Sequence, residues 1–196
     1  MKRTYGALIL AGGMGRRMGG ANKALLQLRQ QTFLSRLENA LSDFDEKLIS
    51  IQDASWLGDS PFLPVLDQVT DRGPMEGLRC SLSLCRSDAL LVVACDMPLF
   101  SGELAKAMIQ AGEGFDAVIC RDSMGKLHPL CGIYSKQCLP VMDSLIAQGN
   151  YRIMEITKLV PTRIFPLSDF AFSDTLLSNI NTPDALASLH QERSPV

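Results

Sequence analysis

The chain has 196 residues, 46% hydrophobic and 20% charged, enough for one core that buries about 70% of the unfolded chain's surface. A formal net charge of −2 excludes a global basic field, so no nucleic acid is expected as a partner. No run reaches the roughly 18 apolar residues of a membrane span, so no membrane is expected either.

Charge is nevertheless uneven. The first acidic residue is Glu38, and before it stand Lys2, Arg3, Arg16, Arg17, Lys23, Arg29 and Arg36. A neutral chain with a cationic start suggests a site for a small anion. The start does not read as a targeting peptide: the apolar run Ala7–Ala11 is too short for a signal core, and the glycines behind it oppose a helix.

Tyr5–Leu10 reads as a strand and Thr32–Leu41 as a helix, with Phe33, Leu34, Leu37 and Leu41 on one face. Leu48–Ile51 and Phe62–Leu66 are strand candidates, and Met75–Cys85 has helical spacing. Ala89–Ala94 is apolar without alternation, as in a strand covered on both faces. A helix over Gly102–Ala111 and a strand over Ala117–Cys120 follow. Lys136–Gln148, Arg152–Leu159, Thr162–Phe165 and Asp184–Gln191 read as helix, helix, strand and helix. Residues 122–135 and 166–182 are the least regular and could carry a substrate lobe. This alternation implies an α/β fold: three layers, with a mostly parallel twisted sheet and helices on both faces. The six cysteines form no C-x-x-C, and the two histidines are far apart, so zinc spacing is absent. They read as reduced, buried thiols of a cytoplasmic protein.

In open α/β sheets, ligands bind beyond the carboxyl ends of the strands. Three features fall there. The first is the segment "AGGMGRRMGGANK" after Tyr5–Leu10, with five glycines. Glycine lets a backbone approach a ligand closely and turn its N–H groups onto phosphate. The segment fails the P-loop pattern at Asn22-Lys23-Ala24, and fails the dinucleotide fingerprint at Met18. Its cations point to a more anionic ligand, such as a nucleoside triphosphate. The alternative is a surface loop with solvated charges. The second and third features are Asp67, after "FLPVL", and Asp96, after "ALLVVAC". Triphosphate chemistry calls for Mg²⁺ on one or two carboxylates, and Asp96 is well placed for it. Either aspartate could instead be a turn or cap residue. Gly77, in the first turn of a helix, is explained by a close approach or by helix packing.

At these residues the chain resembles the molybdenum cofactor guanylyltransferases, within the wider nucleotidyltransferase superfamily. "LILAGGMGRRMGGANKALLQL" is similar to their nucleotide-binding segment, and "VLD", "GPMEGL", "VVACDMPLF", "HPLCGIY" and "NINTPDAL" recur in family order. The similarity runs from about Ala7 to Leu186. It implies a Rossmann-like nucleotidyltransferase fold as a single domain over 1–196. The nucleotide half would be about 1–100 and the acceptor half about 101–196. It implies transfer of GMP from GTP to the phosphate of molybdopterin, with release of pyrophosphate and Mg²⁺ as cofactor. Leu10, Ala11, Gly12 and Gly13 would line the nucleotide, with Lys23 on phosphate, Asp67 on the nucleotide, and Asp96 on Mg²⁺ and the phosphates. Arg16 and Arg17 would lie over the triphosphate and share the catalytic role with Lys23 and Asp96. His128 would lie towards the acceptor, and Asn179 and Asn181 would face the acceptor or complete the metal site. Molybdenum cofactor biosynthesis proteins or molybdoenzyme chaperones are the protein partners implied. Two residues depart from the pattern: Asn22 stands where relatives often have Asp, and Gln52 where they often have Asn. Rival readings are cytidylyl transfer to molybdopterin, nucleotidyl transfer to a sugar phosphate, and a non-catalytic GTP-binding or cofactor-carrier module. The pair Gly12-Gly13 fits the guanylyl branch better by resemblance, since cytidylyl relatives tend to carry Ala before the last Gly.

Overall fold

The computed structural model describes residues 3–12, 22–67, 72–181 and 185. The unalternated run "ALLVVA" forms the central strand β6 (Ala89–Ala94), with all six residues buried. β1 (Tyr5–Leu10) pairs parallel with it on one side, and β4 (Lys47–Ile51) and β5 (Leu63–Leu66) extend the sheet outward, also parallel. On the other side come β8 (Leu127–Ser135), β7 (Ala117–Arg121) and β9 (Thr162–Pro166). The order is β5-β4-β1-β6-β8-β7-β9, and β8 alone runs antiparallel to its neighbours. A separate hairpin joins β2 (Gln27–Leu28) to β3 (Gln31–Thr32), turning through Arg29 and Gln30 at φ 51° and 66°, the positive values that a two-residue turn requires.

Side chains alternate across a strand, so each strand feeds two cores. Ile9, Ile49, Leu91 and Val93 pack on one face with residues of α1 (Phe33–Ala40) and α3 (Gly102–Ala111). Leu8, Leu48, Leu90 and Val92 pack on the other with α2 (Pro74–Leu84) and α4 (Leu139–Ala147). Each fully buried Leu, Ile or Val contributes about 1.5–3 kcal/mol relative to exposure. Thr32 and Ser101 cap α1 and α3, each accepting a bond from an N–H of the first turn. The three-layer, mostly parallel architecture is the one the alternation implied.

Three segments differ from the sequence reading. Residues 122–135 are not an irregular lobe, for most of them form β8, inserted between β6 and β7. Lys136–Gln148 divides into a 3-10 turn (Lys136–Cys138) and α4, because Pro140 suits only the start of a helix. Arg152–Leu159 shortens to α5 (Ile153–Ile156). Residues 166–181 hold only two 3-10 turns, Leu167–Phe170 and Asp174–Leu177, in keeping with the irregularity expected there. Of the helix expected over 184–191 only residue 185 is among the described residues, and it is helical. All six cysteines are buried and none forms a disulfide. Among the described residues no helix is long and apolar enough to cross a membrane.

From β1 the chain steps outward through β4 and β5, then returns to β6 on the other side of β1. That reversal makes the carboxyl ends of β1 and β6 the place where such a sheet binds a ligand.

Candidate nucleotide and acceptor site

The ladder carries β1 as far as its carboxyl end. The Leu10 carbonyl accepts the Cys95 N–H at 3.0 Å, and the Ala11 N–H donates to the Ser50 carbonyl at 2.9 Å. Gly12 is the last described residue before the cationic segment. Gly13, Arg16 and Arg17 lie outside the described residues.

The chain returns at Asn22, whose side-chain oxygen accepts the Ala24 N–H at 3.0 Å and so caps a 3-10 turn, Lys23–Leu25. An amide oxygen performs this capping as a carboxylate would, so the departure from Asp keeps the local fold. Ala24 is fully buried and anchors the turn. Lys23 therefore leaves a fixed backbone, and its Nζ lies 3.2 Å from Asp96 Oδ2 and donates to Asn181 Oδ1.

Asp96 lies one residue beyond β6, after Cys95. Its carbonyl accepts the Ile180 N–H at 2.8 Å, which docks the segment carrying Asn179 and Asn181 onto the strand end. Ile180 is buried with Leu28 and Phe33 and holds that segment in place. The second carboxylate oxygen, Oδ1, is buried and has no hydrogen-bond partner among the described residues. Three sequence-distant residues, Lys23, Asp96 and Asn181, are thus brought together. Among the described residues no group of three or more His, Cys, Asp or Glu side chains is gathered as a metal centre.

Asp67 stands across the β1 end, after β5. Its N–H donates to the Ile51 carbonyl at 3.3 Å, and its Oδ1 accepts the Ser50 hydroxyl at 2.8 Å. A Cβ on Gly12 would come within 2.8 Å of Asp67 Oδ2. A Cβ on Gly77 would meet the Ser50 Oγ at 2.2 Å and Asp67 Oδ1 at 3.1 Å. The close approach left open for Gly77 is therefore to this hydrogen-bonded pair. Burial pushes the Asp67 carboxyl above the ordinary Asp value and the Glu76 charge adds to this, while the Ser50 hydrogen bond opposes them. Gln52, beyond β4, is exposed.

A cleft of about 620 Å³ adjoins Asn181, lined among others by Asp122, His128, Asp174 and Asn179. The acceptor candidates His128, Asn179 and Asn181 thus share one cavity. His128 is 7% exposed, and its Nε2 lies 2.9 Å from Asp122 Oδ2. Asp122 is held in turn, its Oδ1 accepting the N–H groups of Met124 at 3.1 Å and Lys126 at 2.8 Å. The His128 hydrogen bond is the largest cause holding the Asp122 carboxyl below its ordinary value. Sequence spacing missed Ser50, Asp122 and Asp174. The one available signal was a lone serine in the otherwise apolar end of "KLISI".

Comparison with known proteins adds a further observation. The family model of the MobA-like NTP transferase domain matches residues 7–162. A probable molybdenum cofactor guanylyltransferase of Methanosarcina mazei is 32% identical over 206 aligned residues, covering 96% of this chain and 91% of that one. Among solved structures, molybdopterin-guanine dinucleotide biosynthesis protein A of Archaeoglobus fulgidus aligns with a TM-score of 0.80 at 23% identity, covering 94% of this chain and 96% of that one. 2-C-methyl-D-erythritol 4-phosphate cytidylyltransferase of Thermus thermophilus aligns with a TM-score of 0.72 at 15% identity, covering 97% and 98%. These two structural likenesses establish the Rossmann-like nucleotidyltransferase fold.

Proposed function

The chain belongs to the MobA-like NTP transferase family, and from that premise we propose that it transfers GMP from GTP to the terminal phosphate of molybdopterin, releasing pyrophosphate. The observation that carries this reading is the junction of Lys23, Asp96 and Asn181 at the β1 and β6 ends, opening onto the cleft of His128 and Asn179. Together with Arg16 and Arg17 of the cationic segment, Lys23 would offer positive charge to the triphosphate, and the adjoining cleft would take the acceptor.

The chemistry follows from charge. The acceptor phosphate is already ionised, so its oxygen attacks the α-phosphorus without a general base, and the α–β bridging oxygen leaves with pyrophosphate. Such transfers depend on positioning and on stabilising charge where it develops. Lys23 supplies one positive charge; Arg16 and Arg17 supply two more from the cationic segment. Lys23 exchanges its pairing with Asp96 and Asn181 for phosphate oxygens when nucleotide arrives. Gly12 lets the backbone close on the nucleotide beside Asp67, and Leu10 and Ala11 continue that wall, with Gly13 assigned to it by the family resemblance alone. Asp96, whose Oδ1 is buried and unpartnered among the described residues, fits a Mg²⁺ ligand. One or two carboxylates, completed by phosphate and water, suffice for this ion. When bound, Mg²⁺ would neutralise charge on the phosphates.

Thermal denaturation with GTP, CTP, ATP or NAD, each with and without Mg²⁺, tests the ligand class. A ligand at 100 times its dissociation constant adds about 2.7 kcal/mol. Stabilisation by GTP with Mg²⁺ is expected. Selectivity for CTP would move the protein to the cytidylyl branch, and stabilisation by NAD alone would refute a transferase. GTP binding without pyrophosphate release in the presence of molybdopterin would leave a carrier or sensor.

A further inference from the structure

Ser50 occupies the joint between the glycine segment and Asp67. It is 2% exposed, in a strand whose neighbours Ile49 and Ile51 are fully buried. A buried hydroxyl persists where it has a partner, and here the partner is Asp67 Oδ1 at 2.8 Å. The same residue's carbonyl holds the Ala11 N–H at 2.9 Å. Ser50 thus ties the start of the glycine segment with its backbone and the carboxylate with its side chain.

The surroundings are cut to this hydrogen bond. Gly77 of α2 faces it so closely that a methyl group there would stand 2.2 Å from the hydroxyl oxygen. Gly12 leaves the other carboxylate oxygen the room that a Cβ would take at 2.8 Å. Any side chain at either glycine would turn Asp67 or break its bond to Ser50. The carboxylate is therefore held at one oxygen and walled by glycine at both.

We propose that Ser50 is a positioning residue for nucleotide binding: its hydroxyl fixes the Asp67 carboxylate against the Gly12 backbone, and Gly77 is glycine so that this hydroxyl fits. The inference rests on Asp67 being a nucleotide contact. Burial and the Glu76 charge work against an ionised Asp67, and the Ser50 hydroxyl favours it.

The test measures GTP and CTP dissociation constants by calorimetry, with kcat and KM from pyrophosphate release, in Ser50→Ala, Ser50→Thr, Gly77→Ala, Asp67→Asn and the double variant Ser50→Ala/Asp67→Asn. Ser50→Ala should weaken the preferred nucleotide about tenfold with kcat within about twofold, the pattern of lost uniform binding. Ser50→Thr, which keeps the hydroxyl, should restore most of the affinity. Gly77→Ala approaches the same bond from the opposite side and should weaken nucleotide binding as Ser50→Ala does. Because both residues act through one contact, Ser50→Ala should add nothing to Asp67→Asn. A merely structural serine would instead lower the melting temperature and kcat together, and hydroxyl-bearing threonine would not rescue it. If Asp67→Asn weakens binding and Ser50→Ala does not, the role of Ser50 is refuted alone. If Asp67→Asn binds nucleotide as the wild type does, the reading of Asp67 fails and the inference with it.

Discussion

Replacing Lys23 by methionine keeps a long flexible side chain and removes one charge. Its ammonium lies 3.2 Å from Asp96 Oδ2, with the two side chains 19% and 15% exposed. At that distance and an effective dielectric of about 20, the Coulomb attraction is about 5 kcal/mol before desolvation. Desolvation of both ions offsets much of it, but removing one partner strands the other. Asp96 already has one buried oxygen without a partner among the described residues, and the substitution would leave the second uncompensated too. Breaking a fully buried pair costs about 3–5 kcal/mol. Partial exposure puts this one near the lower end, at about 3 kcal/mol, which is about 6–12 °C in melting temperature for a chain of this size. Lys23→Met, Asp96→Asn and the double variant should be compared by thermal and urea denaturation without nucleotide. The double variant should recover more than half of the loss of Lys23→Met. In the transferase assay Lys23→Met should lower kcat by about 10²–10³. A variant within about 0.5 kcal/mol of wild type, with no coupling to Asp96, would refute the reasoning.

Asp67 gives a prediction with a definite sign. Its carboxyl is raised above the ordinary 3.8, chiefly by burial. Between that value and the raised one the native state binds more protons than the unfolded chain, so stability falls as pH rises through the window. Asp67→Asn should lose this slope in urea titrations run from acid to neutral pH and be at least as stable as wild type at neutrality, while binding GTP more weakly; parallel pH profiles would count against it. Asp122→Ala should free the His128 imidazole, raising KM for the acceptor several-fold with KM for GTP unchanged in steady-state assays. The Asp122 carboxyl is held low by His128, so its contribution to stability is present above 3.8 and disappears as pH falls through the lowered value. Burial raises the Cys95 and Cys138 thiols to about 12 and Cys85 to about 11. A disulfide reagent at neutral pH should therefore leave the native protein's cysteines unmodified and titrate all six once it is denatured.

Strands β1, β4, β5 and β6 were legible because their signal is local. "ALLVVA" allows no solvent face, and β6 takes that segment with the same limits. The helix over Gly102–Ala111 is likewise recovered, with Ser101 as its cap. β8 was not legible. "LHPLCGIYS" contains Pro129 and Gly132, residues that mark breaks when only local preference is considered. The fold absorbs them through long-range pairing. The register against β7 shifts between Ile119 and Cys120, accommodating the strand around Pro129. Gly132 lies so close to β7 that a Cβ would meet the Val118 carbonyl oxygen at 2.6 Å. The site shows the same division. Asp67 and Asp96 could be found because each follows an apolar run at a strand end. That Lys23 reaches Asp96 and Asn181, or that Ser50 reaches Asp67, depends on topology that no spacing in the chain contains.

The most direct test of the proposed reaction is product identification. The purified protein, Mg²⁺, GTP labelled in the α-phosphate and molybdopterin would be mixed, and labelled dinucleotide and pyrophosphate quantified together. The two products are expected in equal amounts, with the label in a molybdopterin guanine dinucleotide, and both should be lost in Asp96→Ala at unchanged folded content. GTP consumption without label in a pterin product, or equal turnover in Asp96→Ala, would contradict it.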